Sequence, residues 1–223
     1  MGVFAYFASH TDQVLRLTLE QLQLAFFGVI YGLLVGIPLG VLISRYRKLA
    51  DPVMWFANTL QTIPALAMIG FVMIFAGPNR STGIIVLFFY SLMPIIRSTY
   101  TGITGVDPSI IEAARGMGMT RLQILRMVQL PLALAVILVG IRVAMVIAIG
   151  SASIMSLGGA GSLGQLIFAG IDRVQNAMIL AGALPAVALA VAAELGIGAL
   201  ERRLTPRGLR VAAAAERQHS KSW

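Results

Sequence analysis

Five long apolar runs, at about residues 24–43, 53–76, 82–100, 132–157 and 176–200, constrain this chain more than any other feature of its sequence. The hydrocarbon core of a bilayer is about 30 Å thick and takes about 20 helical residues at about 1.5 Å each. Every run meets that length. The runs are continuous rather than alternating, which argues against a β-barrel. Helices remain, because a helix pairs its backbone groups within one segment. Pro64, inside the second run, predicts a bend or an interruption there. Hydrophobic residues make up 58% of the 223 and charged residues 12%, where a soluble domain carries about 25% charged. The fold class is therefore an all-α integral membrane protein with five transmembrane helices. It divides into an N-terminal segment 1–23, a transmembrane domain 24–200 with a structured loop at 102–131, and a basic tail 201–223.

Charge sets the orientation. The net charge of +8 would suggest nucleic acid in a soluble protein, but in a membrane protein positive residues collect in cytoplasmic loops. Arg45, Arg47 and Lys48 lie between the first two runs. Arg97, Arg115, Arg121 and Arg126 lie between the third and fourth, and Arg202, Arg203, Arg207, Arg210, Arg217 and Lys221 follow the fifth. Thirteen of the 17 basic residues thus fall on one side, against Arg16, Arg80 and Arg173 on the other. The split predicts an external N-terminus and a cytoplasmic C-terminus, with 102–131 in the cytoplasm. The opening "MGVFAYFASHTDQ" has no basic stretch before an apolar one, so a cleaved leader is not expected. Without cysteine there are no disulfides and no thiolate metal sites.

Within the runs a few residues stand out. Gly28, Gly32, Gly36 and Gly40 form one stripe, suited to close helix packing within or between subunits, or to lining a pore. Arg142 in the fourth run and Glu194 in the fifth are intramembrane charges. They read either as a structural pair or snorkelling groups, or as a gate that repels a cation. Gln61, Thr62, Tyr90, Ser91, Ser151 and Ser153 are candidates for a translocation path, although Ser and Thr in a span more often bond their own helix. His10 and His219 lie near the ends, away from any carboxylate cluster, so no metal or acid–base site is expected. The eleven methionines read as packing filler. Trp55 and Trp223 do not cluster with other aromatics into a cage. No G-x-x-x-x-G-K-[ST] loop exists, so the chain has no phosphate cradle for ATP.

The loop "EAARGMGMTRLQILRMVQLP", Glu112 to Pro131, is too polar for lipid and too patterned for a slack linker. Asp107-Pro108 opens a helix, Asp as N-cap and Pro at the first helical position. That helix runs to Arg115 with Ala113 and Ala114 small and exposed. Gly116 and Gly118 end it, since glycine takes the left-handed backbone of a sharp turn. Thr120-Arg-Leu-Gln123 matches a capping box and starts a second helix, with Leu122, Leu125 and Val128 on one face and Ile124 beside them. Pro131 then marks the start of the fourth span. Physics leaves two readings level: an interfacial helix pair that only anchors the loop, or a knob that docks into a cytoplasmic partner.

The spacing Glu112-Ala113-Ala114, three residues, Gly118, nine residues, Val128, one residue, Leu130-Pro131 resembles the EAA-x3-G-x9-I-x-LP motif of ABC-importer permeases, with Val128 in place of Ile. The segments "SRYRKLADPVMWFANTLQTIPALAMIGF", "LMPIIRSTYTGITGVDPSIIEAARGMGM" and "LPLALAVILVGIRVAMVIAIGSASIMSLGGAGSLG" are similar to the osmoprotectant branch, importers of glycine betaine, choline or carnitine. The likeness spans about residues 10–208. It departs at the outer loop "AGPNRST" and at Ser162, where "GAGSLG" replaces the usual GAGGLG. The resemblance implies a type I permease fold and a place in the bacterial inner membrane. It implies a coupling helix, with Glu112, Ala113, Ala114, Gly118, Leu130 and Pro131 serving attachment to the ATPase. It also implies four partners: an ATPase pair holding ATP and Mg, a second permease subunit (homo- or heterodimer), a separate external solute-binding protein, and lipid. The chain itself is then not an enzyme and has no cofactor. Rival readings are a permease for another small solute such as methionine, a self-contained secondary transporter or channel, and a non-transporting anchor. No acidic cluster in the spans supports the transporter or channel.

Overall fold

The computed structural model describes residues 3–204, and the described residues are helical with no strand. Nine helices follow in order. They are α1 (Val3–Ser9), α2 (Thr11–Arg45), α3 (Ala50–Thr62), α4 (Ala65–Ala76), α5 (Arg80–Thr104) and α6 (Pro108–Gly116). Then come α7 (Arg121–Ala152), α8 (Gly164–Asp172) and α9 (Asn176–Leu204). Four of them, α2, α5, α7 and α9, are each long and apolar enough to cross a membrane. The pair α3 and α4 passes the same test together but is bent by 99° at its break. Val3, Phe4, Ala5 and Leu204 aside, side chains are described throughout this range.

The break is local chemistry. A residue before proline is pushed out of the helical region, and Ile63 sits at φ −67°, ψ 125° ahead of Pro64 at φ −56°, ψ 138°. Proline also occurs inside α2 (Pro38), α5 (Pro94) and α9 (Pro185), where the helix continues. In α5 the cost is met from outside. Pro94 has no N–H for the carbonyl of Tyr90, one turn back, and the side-chain amide of Gln61 donates to that carbonyl at 2.8 Å. Tyr90 returns the favour, its hydroxyl donating to the Ile63 carbonyl at the α3–α4 break at 2.6 Å. One proline-freed carbonyl and one left open at the helix break are thus both satisfied between the same two segments.

The core sits where α2, α5 and α7 meet, with Leu24, Val29, Leu87, Ile95, Ile149 and Met155 buried. The glycine stripe of α2 faces α5 of the same chain. A methyl at Gly28 would meet Leu87 Cβ at 2.6 Å, and one at Gly40 would meet Thr99 Cβ at 2.5 Å; those at Gly32 and Gly36 would meet Ser91 and Ile95. Backbones approach closely because nothing projects between them.

Three features differ from the sequence reading. The first helix of membrane length, α2, begins at Thr11 and not near 24, so residues 11–23 continue into it and are no separate segment. Its first turns alternate polar and apolar residues in a helical pattern, Val14, Leu17, Gln21 and Leu24 being buried while Leu15 and Leu19 are exposed. The fourth span does not start at 132. Thr120 caps a helix that runs unbroken into α7 through a π turn at Ile124–Gln129. The Leu130 N–H there reaches the Leu125 carbonyl, one residue further than in an α-helix. Such single wide turns shift the hydrogen-bond register, here just before Pro131, which has no N–H to donate. Finally α7 ends at Ala152. The chain then makes a short 3-10 turn (Ile154–Gly158) and the helix α8, which packs along α9. Gly170 lies against Ile179, and Gly182 against Ile167 and the Leu163 carbonyl. Apolar residues in α8 are too few to register as a span, and 158–175 reads from sequence as a loop.

Candidate functional site: the loop between α5 and α7, and a cavity at the α3–α4 break

The loop is built by local hydrogen bonds. The Asp107 carboxylate accepts from the Ser109 N–H at 2.8 Å, with Pro108 at the first helical position. Bonds from the Ser109 N–H and hydroxyl hold that carboxyl below the usual carboxylate range. At the other end of α6, Gly118 takes φ +80°. The Met119 N–H bonds to the Ala114 carbonyl and the Gly118 N–H to the Arg115 carbonyl, at 3.2 and 2.9 Å. This pair of bonds across a left-handed residue is the Schellman stop, and it needs glycine at 118. Gly116 is the last helical residue and has ordinary φ, so only one of the two glycines makes the turn. The capping box then forms both ways: Thr120 Oγ1 accepts from the Gln123 N–H at 3.4 Å, and Gln123 Oε1 accepts from the Thr120 N–H at 2.7 Å.

The six motif residues divide by position. Glu112 and Ala113 are exposed on α6. Ala114 is not exposed as its sequence suggests; it is 2% accessible, because α6 lies back on the π turn with this face inward. Gly118 has open space around it. Leu130 packs against the cluster of Ile103, Ala133 and Ile137 that joins the loop to α5 and α7, and Pro131 is exposed beside it. Of the residues expected on one face of the second helix, Leu125 and Val128 are half-buried and Leu122 is exposed, while the flanking Ile124 is buried.

The candidate path residues also divide. Gln61, Thr62, Tyr90 and Ser151 line one cavity of about 390 Å³, with Pro64 and Ile147. Ser91 and Ser153 do not reach it. Ser91 is buried against the glycine stripe, its hydroxyl donating to the Phe88 carbonyl at 2.8 Å. Ser153 donates to Gln21 Oε1 at 3.3 Å. Gln21 is a structural residue that the sequence did not single out. It is fully buried, donates to the Ile149 carbonyl at 3.1 Å, and accepts from the Leu163 N–H at 3.1 Å, tying α2 to α7 and the start of α8. The unusual Ser162 is buried next to it, its hydroxyl donating to the Ser153 carbonyl at 3.4 Å.

Arg142 forms ion pairs with Glu194 at 3.6 Å and Glu201 at 3.4 Å. Glu201 is the member missed by the sequence reading, although its spacing of two turns after Glu194 puts both on one face of α9. His10 stacks on Tyr6, with ring centroids 4.3 Å apart. Among the described residues no group of three or more His, Asp or Glu could hold a metal. Trp55 is exposed. His219, Trp223 and the tail from 205 lie outside the described residues.

These features have counterparts in known proteins. The Bacillus subtilis glycine betaine/carnitine/choline transport system permease protein OpuCD is 47% identical over 202 residues, covering 90% of this chain and 88% of that protein. The Bacillus subtilis choline transport system permease protein OpuBD is 44% identical, over 92% and 91%. The Salmonella typhimurium osmoprotectant import permease protein OsmW is 39% identical, over 94% and 100%. In fold, the chain is similar to a subunit of the MetNI methionine ABC transporter in an inward-facing conformation. The TM-score is 0.80 at 24% identity, over 89% of this chain and 99% of that one. Residues 32–206 match the family of binding-protein-dependent transport system inner membrane components, and the chain belongs to that family.

Proposed function

We propose that this chain is the membrane-spanning subunit of an ABC importer for osmoprotectant quaternary amines such as glycine betaine, choline or carnitine, and that α6 couples it to a separate ATPase. The observation that carries the reading is the loop itself. Glu112 and Ala113 are presented outward on a helix fixed at both ends, by the Asp107 cap and the Gly118 stop. An anchoring helix would need a continuous apolar face toward lipid, whereas the exposed residues of α6 mix Ile110 and Ala113 with the charged Glu112 and Arg115. The broken pair α3–α4 serves as one span, making five, with the N-terminus outside and α6 in the cytoplasm. The distribution of basic residues supports this orientation. Partners in this reading are two ATPase subunits, a second permease, and an external binding protein that delivers the solute. ATP and Mg belong to the ATPase.

The cavity at the α3–α4 break suits part of the path. No charged side chain lines it. A quaternary ammonium has no proton to donate, so it is favoured by dipoles and aromatic faces rather than by hydrogen bonds. The C-terminal end of α3 and the N-terminal end of α4 both open there, and helix C-termini carry partial negative and N-termini partial positive charge. Discontinuous helices use their ends in this way to hold charged solutes. Arg142 is engaged by two carboxylates and stands outside this cavity, which supports a structural role for it.

The test is assembly with the ATPase. Gly118→Val places a β-branched residue at φ +80° and strains the turn by about 1–3 kcal/mol. Ala113→Asp puts a charge on the exposed docking face. Both variants should insert in the membrane normally, lose co-purifying ATPase and lose uptake. Full ATPase retention and full uptake in both would leave α6 as an anchor only.

A further inference from the structure

A second cavity, of about 180 Å³, lies where the last turn of α2, α6 and the π turn of α7 come together. Three arginines on three separate elements line it: Arg45 closing α2, Arg115 closing α6, and Arg121 opening α7. No carboxylate lines it, and its remaining wall is largely apolar, including Val41, Ile103 and Ile124. None of the three guanidinium groups makes a side-chain hydrogen bond or ion pair with another described residue. Arg115 leaves Glu112, one turn away on its own helix, unused. Arg47, Arg97 and Arg126 likewise make no such bond with a described residue, whereas Arg16, Arg80 and Arg142 do; what sets Arg45, Arg115 and Arg121 apart is that all three line one cavity.

Three like charges held around one small cavity repel each other unless an anion sits among them. Guanidinium forks match the oxygens of a phosphate. The position decides between sources of phosphate. Arg45 is the last residue of a membrane-length helix, hence at headgroup level, and basic pockets between spans on the cytoplasmic side take anionic lipid headgroups. The apolar wall would meet the start of an acyl chain, for which free phosphate or a partner's carboxylate has no use.

We propose that this cavity binds the phosphate headgroup of an anionic phospholipid, clamped by Arg45, Arg115 and Arg121. The bound lipid bridges α2, α6 and α7 and so braces the coupling helix against the membrane domain. The cytoplasmic placement rests on the orientation proposed above, but lipid binding is read independently of transport.

The experiment titrates phosphatidylglycerol onto the purified transporter in neutral detergent and counts bound lipid by native mass spectrometry, with phosphatidylcholine as the zwitterionic comparison. The triple variant Arg45→Gln, Arg115→Gln, Arg121→Gln is set against Arg126→Gln, Arg202→Gln, Arg203→Gln, which removes the same charge outside the cavity. At about fivefold per arginine near a surface, the cavity triple should lose on the order of a hundredfold in phosphatidylglycerol affinity, and the control triple little. Each single variant, tested alone in case the triple misfolds, should lose about fivefold. Equal losses in both triples would overturn the proposal in favour of diffuse surface charge. Displacement of the lipid by excess inorganic phosphate would make free phosphate the ligand and overturn the lipid assignment. Unchanged lipid binding with loss of the ATPase would assign the arginines to the partner protein instead.

Discussion

Replacing Gly40 by alanine tests the packing account with a single methyl. In an exposed helix, Gly→Ala gains about 0.8–1 kcal/mol from propensity. At Gly40 the new carbon would lie 2.5 Å from Thr99 Cβ, 2.7 Å from Thr99 Cγ2 and 3.1 Å from the Ile96 carbonyl oxygen. Ordinary carbon contact lies at about 3.5–4.0 Å, so α2 and α5 must part by about 1 Å. Neither obstacle can swing away, since Thr99 is β-branched and buried and the oxygen is backbone. Overpacking of this kind costs about 1–3 kcal/mol. It offsets or exceeds the propensity gain, and the predicted net change is a loss of about 0–2 kcal/mol. Gly196 and Gly70 supply the control, because a methyl at either meets nothing within 4 Å; alanine there should be neutral or stabilising. Thermal unfolding of the purified protein in detergent separates the cases. A chain of about this size shifts by about 2–4 °C per kcal/mol, so Gly40→Ala should melt several degrees below Gly196→Ala. Equal melting temperatures would refute the claim that the stripe is a tight contact within the chain.

Gln21→Met keeps the volume but strands the Ile149 carbonyl and the Leu163 N–H in the core; a loss of about 2–6 kcal/mol by the same melting assay is expected, at about 1–3 kcal/mol per stranded group. Ala114→Asp should reduce folded protein in the membrane, because that methyl is buried, whereas Ala113→Asp should reduce only ATPase attachment; equal expression of both would show that α6 does not lie back on the π turn. For topology, a cysteine at Ser81 should react with a membrane-impermeant thiol reagent in intact cells and one at Ser109 should not; labelling at Ser109 would reverse the orientation.

What the sequence made legible is what local chemistry decides. The Asp107 cap, the Thr120–Gln123 box and the need for glycine at 118 each involve residues within about one turn of each other, so spacing alone reveals them. Apolar length reveals spans in the same way, and Pro64 announces its own break. The rest depends on partners far along the chain. Nothing near Tyr90 says that Gln61 will reach its carbonyl, although Pro94 four residues later says that the carbonyl needs a donor. Gln21 reads as one more polar residue ahead of a span until Ile149 and Leu163 surround it. Ser91 and Ser153 look equivalent to Ser151 in sequence, and only packing sends them to the glycine stripe and to Gln21 while Ser151 reaches the cavity. Ala114 is illegible for a related reason: adjacent residues on a helix point about 100° apart, and only the packing of α6 on the π turn decides that Ala114 turns in while Ala113 stays exposed.

The most direct measurement of the central claim is uptake of labelled glycine betaine, choline and carnitine into vesicles holding this chain with its ATPase and binding protein. Uptake of at least one of the three that requires ATP inside the compartment matching the cytoplasm, and also requires the binding protein outside, is the predicted result. Uptake by this chain alone, driven by an ion gradient and indifferent to ATP, would contradict it.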